Sequence, residues 1–578
     1  MQQYFDAQMR LLAQAGKQFA AQYPEHAGQL NIDSIKERDP HVERLLEGVA
    51  YFTANIQQRL DGVVPEVSEQ VLRQLCPVLL NHYPSTTVFQ FSPKFSYKDP
   101  TIIKKGMEVS SNQVAINLGH ERKTIKCKFT TCHDLNISPF TVVDAICKET
   151  HQGSELRIKL KWNCQGEVEN FDLSSLRFYL NGDTPLVSSL YHLMLTANEA
   201  IQVVFPVEQS QFDTKLIQKN ACAANFNSND ALLPSAASSH PSYALLHDYF
   251  NGKERFNFVD VNGLNEIDFP ENFRSVELVF KSKIKLPPGN KLSAENLLLN
   301  CVTGINLFNQ DAEPIHIDTN CTDYMITPDR SKLDSIFTYS VNNVVGVADK
   351  GTVKKSYIPR YKSMLSPTQN TYTLNIKDIG AAVPTHYIQV PVSQAWLDQT
   401  LSIEISAYNG HWPKHSIREG QLNQGGKDLP ALINVANISR PSNYKKCLEQ
   451  SAHWQLISLL NLKFTSLMNA DELKHLLTLF NWSDRDENSR RINAIEHIES
   501  HKINQIKRGV FIQGVEIVIT IDESKFSCAS DVYHFSSLLH HFFVMYAPIN
   551  QSVQTRVKCV PSFTDFVWAI ELGKNSLL

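Results

Sequence analysis

The spacing of apolar residues divides the chain into three stretches. In residues 1 to about 83, apolar side chains recur at helical spacing. From about residue 84 to 438, short segments such as 176–180 and 275–280 alternate apolar and polar positions, which predicts strands. Helical spacing returns from about residue 439, between further predicted strands. The pattern predicts an α+β multidomain chain with an N-terminal helical arm, β-rich middle domains of sandwich or barrel type, and an α+β C-terminal domain.

The strongest helical pattern begins at Asp39-Pro40. Asp39 suits a helix cap and Pro40 the first helical position. Five apolar residues then fall on one side of the predicted helix, while Arg44 lies off that stripe. The five are Leu45, Leu46, Val49, Phe52 and Ile56. A separate helix is predicted over residues 68–80, with Pro77 bending it or ending it early.

Turn signals and composition set the predicted boundaries. Pairs such as Asn262-Gly263 and Asn409-Gly410 punctuate the predicted strands. Residues 221–241 are rich in alanine, serine and asparagine, and we expect a linker or an exposed loop there. Four domains are predicted: a helical bundle arm at 1–84, β-rich domains at 85–240 and 241–438, and an α+β domain at 439–578.

Composition excludes several classes of protein. The chain has 578 residues, 42% of them hydrophobic, which is incompatible with disorder as the main state. Its formal net charge of −4 does not fit a general nucleic-acid-binding surface. No apolar run is long enough for a membrane-spanning helix, and the start lacks the features of a signal peptide, so we expect a cytoplasmic protein. The 11 scattered cysteines indicate buried, reduced thiols and no disulfide framework.

Short motifs give little support for catalysis or metal binding. The phosphate-binding G-x-x-x-x-G-K-[ST] pattern and the G-x-S-x-G elbow are both missing. His497 and His501 are four apart, as on one helical face, but the glutamate of H-E-x-x-H is misplaced, and we expect a solvated helix end. Residues 484–488 resemble the start of a calcium loop, but Ser489 and Ile495 stand where glycine and glutamate are needed. We expect a charged turn there.

The remaining candidates also favour structural roles. Cys127, Cys132 and His133 do not have the spacing of a compact zinc site. His540-His541 is expected on a helix, in the protein core or at its rim. The alternating lysines 281, 283 and 285 are expected on the solvated face of a strand. We therefore predict no catalytic, metal-binding or cofactor-binding residues, no nucleic-acid site, and no enzyme.

An ordered set of segments resembles the TssF family, whose members are baseplate subunits of the bacterial type VI secretion system. Each segment alone is only moderately specific, but together they run in order through most of the chain. The segments lie at residues 19–24, 39–52, 60–65, 79–85, 176–182, 243–250, 306–315, 323–329, 454–462 and 546–550.

The resemblance implies a mechanical role in a larger assembly. A pair of TssF chains would form a wedge with one TssG chain, and the wedge would also carry TssK and TssE and close around the VgrG spike. Such a protein would work in the cytoplasm, docked at the inner face of the cytoplasmic membrane, and would reach the membrane complex through TssK without inserting itself. The resemblance carries over no catalytic residue.

The N-terminal helix is then the predicted partner seam. Its predicted residues are Asp39, Glu43, Arg44, Leu45, Leu46, Val49, Phe52 and Ile56. Two other functions stay open at this point. One is a β-sandwich module that binds a carbohydrate or a peptide, and the other is an enzyme whose site is assembled from residues far apart in sequence.

Overall fold

We describe the protein from a computed structural model. The structure describes residues 2–22, 40–94, 97–118, 121–151, 153–197, 200–206, 212–217, 221–234, 239–270, 273–287, 292–318, 321–348, 353–360, 370–377, 384–390, 399–448, 453–460, 463–483, 485–507 and 510–574. The chain forms two compact units. The first comprises Met1–Leu75 and Leu448–Asn461, and the second comprises Cys76–Cys447 and Leu462–Leu578.

The α-helices of the described residues are numbered in chain order. They are α1 (Gln2–Gln22), α2 (Pro40–Leu75), α3 (Thr184–Leu195), α4 (Pro241–Asn251), α5 (Trp412–Ser416), α6 (His453–Leu460), α7 (Ala470–Phe480), α8 (Asp486–Asn493) and α9 (Ala529–Tyr546).

The strands are numbered in the same way. The first sixteen are β1 (Thr86–Pro93), β2 (Ile102–Ile103), β3 (Glu108–Ser111), β4 (Val114–Leu118), β5 (Glu121–Ile125), β6 (Lys128–Thr131), β7 (Leu135–Asn136), β8 (Phe140–Thr150), β9 (Gly153–Trp162), β10 (Ser175–Leu180), β11 (Ile201–Pro206), β12 (Phe212–Ile217), β13 (Ala221–Ala223), β14 (Phe258–Asn262), β15 (Ser275–Ser282) and β16 (Leu297–Leu299). The others are β17 (Cys301–Ile305), β18 (Phe308–Asp311), β19 (Ile315–His316), β20 (Asp323–Met325), β21 (Phe337–Ala348), β22 (Val353–Pro359), β23 (Thr371–Lys377), β24 (Thr385–Gln389), β25 (Thr400–Tyr408), β26 (Leu422–Gly425), β27 (Ile433–Asn437), β28 (Ile495–Lys507), β29 (Val510–Asp522), β30 (Ser552–Val560), β31 (Asp565–Val567) and β32 (Glu571–Leu572).

The described residues of the first unit form three helices. The long helix α2 packs against α1 and also against α6, which comes from a distant part of the sequence. The separate helix predicted over residues 68–80 is wrong, because α2 runs on through Pro65 to Leu75. A proline removes one backbone hydrogen bond and bends a helix, but helix-forming sequence on both sides lets the helix continue. The predicted stop near Pro77 is confirmed.

The core of the second unit is a nearly closed barrel. Its six-stranded sheet has the order β26-β3-β6-β17-β1-β27, and the two edge strands β26 and β27 contact each other. A five-stranded sheet, β12-β11-β15-β9-β8, and a four-stranded sheet, β13-β14-β10-β16, contribute to the same hydrophobic core. The division into four domains stays a prediction. Residue 240 is the predicted boundary between the two β-rich domains, and in these sheets strands from both sides of it pair with one another.

A second β domain is inserted into the barrel. The chain leaves the barrel after β17, forms a sheet with the order β18-β25-β21-β22-β23-β24-β20, and returns at β26. This insertion has its own core, made of residues between Phe308 and Ala407. Two buried asparagines join it to the barrel, since Asn306 donates to Asn409 Oδ1 (2.8 Å) and Asn409 N donates to Asn306 Oδ1 (2.7 Å).

The C-terminal part combines helices and a sheet. Helix α9 packs against α3, α4 and strand β30, and its sheet has the order β28-β29-β30-β31 with β32 beside β30. The strands predicted around residues 510–521 and 552–560 are confirmed as β29 and β30. The predicted α+β class with β-rich middle domains is also confirmed.

One predicted loop is wrong. Residues 221–241 were expected to be exposed, but they begin with β13, and Asn225, Phe226 and Leu232 are buried. Residues 235–238 of that stretch lie outside the described residues. A composition of small and polar residues reports local flexibility but not the tertiary contacts that bury such a segment.

Candidate interaction surface

Helix α2 is the element on which the predicted seam lies. It has 36 residues, which corresponds to a length of about 54 Å. Pro40 opens it, as expected for a residue with no backbone N–H to leave unpaired. Asp39, predicted as the cap, lies outside the described residues.

One face of α2 is buried within the first unit. Ala50 and Ala54, one helical turn apart, are fully buried, and so are Ser68 and Leu72 nearer the C-terminal end. Small side chains let two helix backbones approach closely. This face is the one that the chain itself covers, so it accounts for the packing of α2 on α1 and α6.

A different face of α2 carries exposed large apolar side chains. Their exposed fractions are 70% for Leu45, 49% for Val49, 69% for Phe52 and 58% for Ile56. The four are spaced by four, three and four residues and lie within about 60° of one another around the helix axis. Among the described residues of the chain, none covers them to any large extent.

The spacing of this exposed stripe is that of a coiled-coil seam. Successive gaps of four, three and four residues place Val49 and Ile56 at heptad positions a, and Leu45 and Phe52 at positions d. β-Branched residues at a, with large apolar residues at d, are typical of helices that pack by knobs into holes. The stripe therefore matches the surface of another helix better than a flat or polar surface.

The flanks of the stripe are uncharged. The neighbouring e and g positions are occupied by Leu46, Gly48, Thr53 and Asn55. Charged residues at these positions normally select partners through ion pairs. An interface on this stripe would therefore depend on apolar burial and would respond weakly to salt.

The predicted seam residues fall into separate groups. Leu46 is half-buried on the side towards the covered face, and Arg44 is exposed. Glu43 lies in α2, but its side chain is outside the described residues. The exposed stripe consists of the other four apolar residues. Sequence spacing identified all of them, but it did not distinguish Leu46 from the rest.

The stripe offers a useful amount of binding free energy. Complete burial of one large apolar side chain contributes roughly 1.5–3 kcal/mol relative to exposure. Four side chains that are about half to two-thirds exposed therefore offer on the order of 4–8 kcal/mol, before the cost of association.

Several segments of the family pattern lie in buried positions of the second unit. Asp248, from the segment 243–250, is fully buried and pairs with Arg255 (Nη1 to Oδ2, 2.5 Å). Tyr83 donates its hydroxyl to Asp248 Oδ1 (3.0 Å), and the Leu232 backbone N donates to Oδ2 (2.9 Å). Burial and the nearby Asp248 carboxylate raise the pKa of Tyr83 well above its ordinary value. Sequence reasoning missed this cluster, although a lone aspartate in the apolar helix α4 was a usable signal.

A second buried ion pair ties α8 to α9. Arg491 donates from Nη2 to both carboxylate oxygens of Asp531, at 3.1 and 3.0 Å. Asp486 and Glu487 lie in the first turn of α8, where a helix dipole favours negative charge. The charged turn predicted around residues 484–488 is therefore wrong from Asp486 onward, and residue 484 itself lies outside the described residues.

The histidine and cysteine candidates sit in structural environments. His497 and His501 lie on strand β28 and not on a helix, and the Nε2 atom of each is 3.5 Å from a carboxylate oxygen of Glu499. Spacing of four residues fits one face of a strand as well as one face of a helix, which is why the helix prediction failed. Within the part of the chain that the structure describes, no group of three histidine, cysteine or acidic side chains is placed to hold a metal ion.

Burial dominates the chemistry of the other candidates. It raises the pKa values of Cys127 and Cys132 to about 12 and lowers the pKa of His133 to about 3. These thiols are protonated at neutral pH, and this imidazole is uncharged. His540 is buried in α9, which agrees with the core position that was one of its two expected environments. Lys281 lies on β15, whereas lysines 283 and 285 follow the end of that strand.

Comparison with protein families decides the identity of the chain. A model of the family described as "Type VI secretion system, TssF" matches residues 1–573. The chain belongs to the TssF family. The predicted resemblance is thus confirmed over almost the whole sequence, and TssF is a component of the type VI secretion system.

Individual TssF relatives agree with this assignment. The type VI secretion system component TssF1 of Pseudomonas aeruginosa is 24% identical, and the alignment covers 96% of this chain and 95% of that protein. A chain of the TssK-TssF-TssG baseplate subcomplex, solved by cryo-electron microscopy, is 26% identical with a TM-score of 0.79. The match covers 93% of this chain and 99% of that one. A chain of a type VI baseplate complex shares the fold at 24% identity and a TM-score of 0.64, over 100% of this chain and 99% of that one.

The helices of the described residues were also compared with the requirements of a membrane span. None of them is both long enough and apolar enough to cross a bilayer.

Proposed function

We propose that this TssF chain is a structural subunit of the baseplate wedge of a type VI secretion system. In that wedge it assembles with TssG, TssK and TssE and with a second copy of itself, around the VgrG spike. It works in the cytoplasm, docked at the inner face of the cytoplasmic membrane. Its contribution is mechanical, since it supports the assembly of a contractile tail, and no catalytic step is part of the proposal.

The observation that carries the proposal is the exposed stripe of α2. Four large apolar side chains at heptad spacing face away from the first unit and need a covering surface. A family relative with a similar fold lies in a TssK-TssF-TssG baseplate subcomplex, which supports a partner chain as the covering surface. We assign the stripe to a helix of TssG.

The fold of the second unit suits a mechanical part. The barrel and its inserted β domain are joined through buried asparagines, and buried ion pairs hold α4 and α9 in place. Buried polar networks whose members are all satisfied make a structure rigid. A rigid second unit of this kind can transmit force between neighbouring subunits.

The test is co-purification of paired variants. Phe52→Asp places a charge in the seam, and we expect it to abolish co-purification with the TssG homologue from the same gene cluster. Tyr51→Asp is the matched control, because Tyr51 is also an exposed aromatic on α2 but lies off the stripe. Both variants should unfold like the wild-type chain, since neither side chain is buried.

The outcomes separate the competing functions. Loss of TssG with Phe52→Asp and retention with Tyr51→Asp would support the proposal. Equal retention in both variants would refute the assignment of the stripe to TssG. A wild-type chain that stays monomeric with both partners present would favour a carbohydrate- or peptide-binding β module instead.

A further inference from the structure

The last described part of the chain lies across β30 and the end of α9. At one end Trp568 N donates to Thr555 O, and at the other Lys574 N donates to Val544 O of α9, both at 3.0 Å. Between these two bonds, strand β32 pairs with the start of β30 over two residues. We call residues 568–574 the terminal strap. Short terminal segments of this kind are among the parts of a fold that open most easily.

One buried histidine of α9 joins the strap to the rest of the second unit. The side chain of His540 is 2% exposed. Its Nε2 atom is 3.4 Å from Glu571 Oε1 in the strap, and its Nδ1 atom is 3.1 Å from Thr555 Oγ1 in β30. The centre of its ring also lies 5.9 Å from that of Trp568, with an angle of 23° between the ring planes. Two of these three contacts are therefore made with the strap.

The surroundings of His540 suit the imidazole in both of its charge states. A carboxylate only accepts hydrogen bonds, so the Nε2 atom that bonds to Glu571 carries a proton. The Thr555 hydroxyl can donate to an unprotonated Nδ1 or accept from a protonated one. A proton can therefore be added at Nδ1 without any rearrangement of β30. Histidine is the side chain whose charge ordinarily changes between pH 5 and 8.

Protonation of His540 strengthens both of its contacts with the strap. An imidazolium forms an ion pair with Glu571, which the neutral ring cannot do. A cation is also attracted to the face of an indole ring within about 6 Å, as at Trp568. The hydrogen bond from His540, together with nearby charges, lowers the pKa of Glu571 to about 2, so this carboxylate stays ionised at neutral pH. The attraction therefore follows the charge of His540.

The neighbouring titratable groups of α9 and the strap keep one charge near neutral pH. Burial and the adjacent His540 lower the pKa of His541 to about 4, so that ring is uncharged. Burial raises the pKa of Tyr533, whose ring stacks on Trp568, to about 12. Lys574 lies 3.8 Å from Glu571, and a lysine ammonium is charged throughout this range.

The elements packed against α9 also bring groups that keep one charge there. Helix α3 brings Tyr191 and His192 against α9, and helix α4 brings Tyr243. Burial raises the pKa values of both tyrosines above their ordinary value and lowers that of His192 to about 4. Strand β30 brings Thr555, which does not titrate. Among these described neighbours of the strap, His540 is therefore the group whose charge can respond near neutral pH.

We propose that His540 is a pH-sensitive latch for the terminal strap, which it holds closed as an imidazolium and releases as a neutral ring. The stabilisation of the closed strap is then fully present on the acidic side of the histidine range and is lost as pH rises through it. A buried histidine that stays neutral in the fold has the opposite effect, so the sign distinguishes the two cases. The latch does not depend on the proposed baseplate function.

Hydrogen–deuterium exchange of the full chain measures the opening of the strap. The readout is mass spectrometry of peptic fragments that contain residues 568–574, corrected for the pH dependence of intrinsic amide exchange. We expect the opening constant to rise by about threefold or more from pH 6 to pH 8. A fragment from β29, inside the same sheet, should show no such change. An opening constant that is equal at both pH values, or that falls, would overturn the proposal.

Two neighbouring variants test whether His540 is the responsible group. His540→Gln keeps a side-chain donor but carries no charge, so its strap should open equally at pH 6 and pH 8. His541→Gln is the matched control, because it removes the adjacent buried histidine, and it should keep the pH dependence of the wild type. A pH dependence that survives His540→Gln, or that disappears in His541→Gln, would contradict the latch.

A third variant covers the case in which a substitution in the buried helix prevents folding. The Glu571 side chain is 40% exposed, so Glu571→Gln should leave the fold intact while it removes the counter-ion of His540. We expect a smaller change of the opening constant between pH 6 and pH 8 than in the wild type. A change as large as that of the wild type would show that the pair is not a latch.

Discussion

Replacement of Asp248 by asparagine removes the negative charge from a fully buried cluster. The Asp248 carboxylate accepts hydrogen bonds from Arg255, from the Tyr83 hydroxyl and from the backbone N of Leu232. Arg255 is itself buried, and its other nitrogens donate to the backbone oxygens of residues 225 and 227. The variant therefore leaves a guanidinium charge buried without a counter-ion.

The expected magnitude follows from this geometry. Removing one partner of a buried ion pair costs about 3–5 kcal/mol of unfolding free energy. The pair Lys285–Glu149 is a suitable comparison, because both of its side chains are mostly exposed and its atoms are 3.9 Å apart. Glu149→Gln should cost less than about 1 kcal/mol.

Urea unfolding, followed by intrinsic fluorescence, measures both variants. We expect a clear shift of the midpoint to lower urea for Asp248→Asn and almost none for Glu149→Gln. The double variant Asp248→Asn with Arg255→Met should recover part of the loss, since it removes the unpaired charge. A cost below about 1 kcal/mol for Asp248→Asn would refute the view that this cluster holds α4 against the barrel.

Three other perturbations test separate parts of the account. Burial lowers the pKa values of His133, His247 and His534 to about 3, so the unfolded chain binds more protons than the folded one below pH 6.5. The free energy of unfolding should therefore be highest above that pH. Towards pH 4.5 it should fall by on the order of 1 kcal/mol per histidine per pH unit, and a urea midpoint that does not change with pH would contradict this. Gly48→Ala should stabilise the free chain by about 0.5–1 kcal/mol, because an added Cβ meets no atom within 4 Å in helix α2; a lower urea midpoint would show that the position is more crowded. Asn306→Ala should lower the free energy of unfolding by roughly 2–4 kcal/mol in the same assay, because buried groups between the inserted domain and the barrel lose their hydrogen-bond partner. An unchanged midpoint would argue against the importance of that junction.

The seam on α2 shows which features of the candidate site can be predicted from the sequence. The start of α2 and its apolar residues could be predicted from spacing alone, because a helix has a fixed period. The spacing does not predict which of those residues the rest of the chain covers. Ala50 and Ala54 form the buried face, and small residues carry almost no signal in an apolar pattern. The difference between Leu46 and its neighbours likewise depends on tertiary packing.

Contacts between residues far apart in the sequence also could not be predicted. Tyr83 and Asp248 are 165 residues apart, and strand β1 lies between β17 and β27, which are separated from it by more than 200 residues. Local propensity and turn signals carry no information on such pairs. Several individual strands were therefore predictable, whereas the strand order of the barrel, the inserted domain and the buried ion pairs were not.

The central claim is that the chain is a partner-dependent subunit of a baseplate wedge. Co-expression with the TssG and TssK homologues of the same cluster, followed by size-exclusion chromatography with mass determination, tests it most directly. The account predicts a stable complex whose mass requires two copies of this chain for each TssG. A lone monomer at every salt concentration would contradict it.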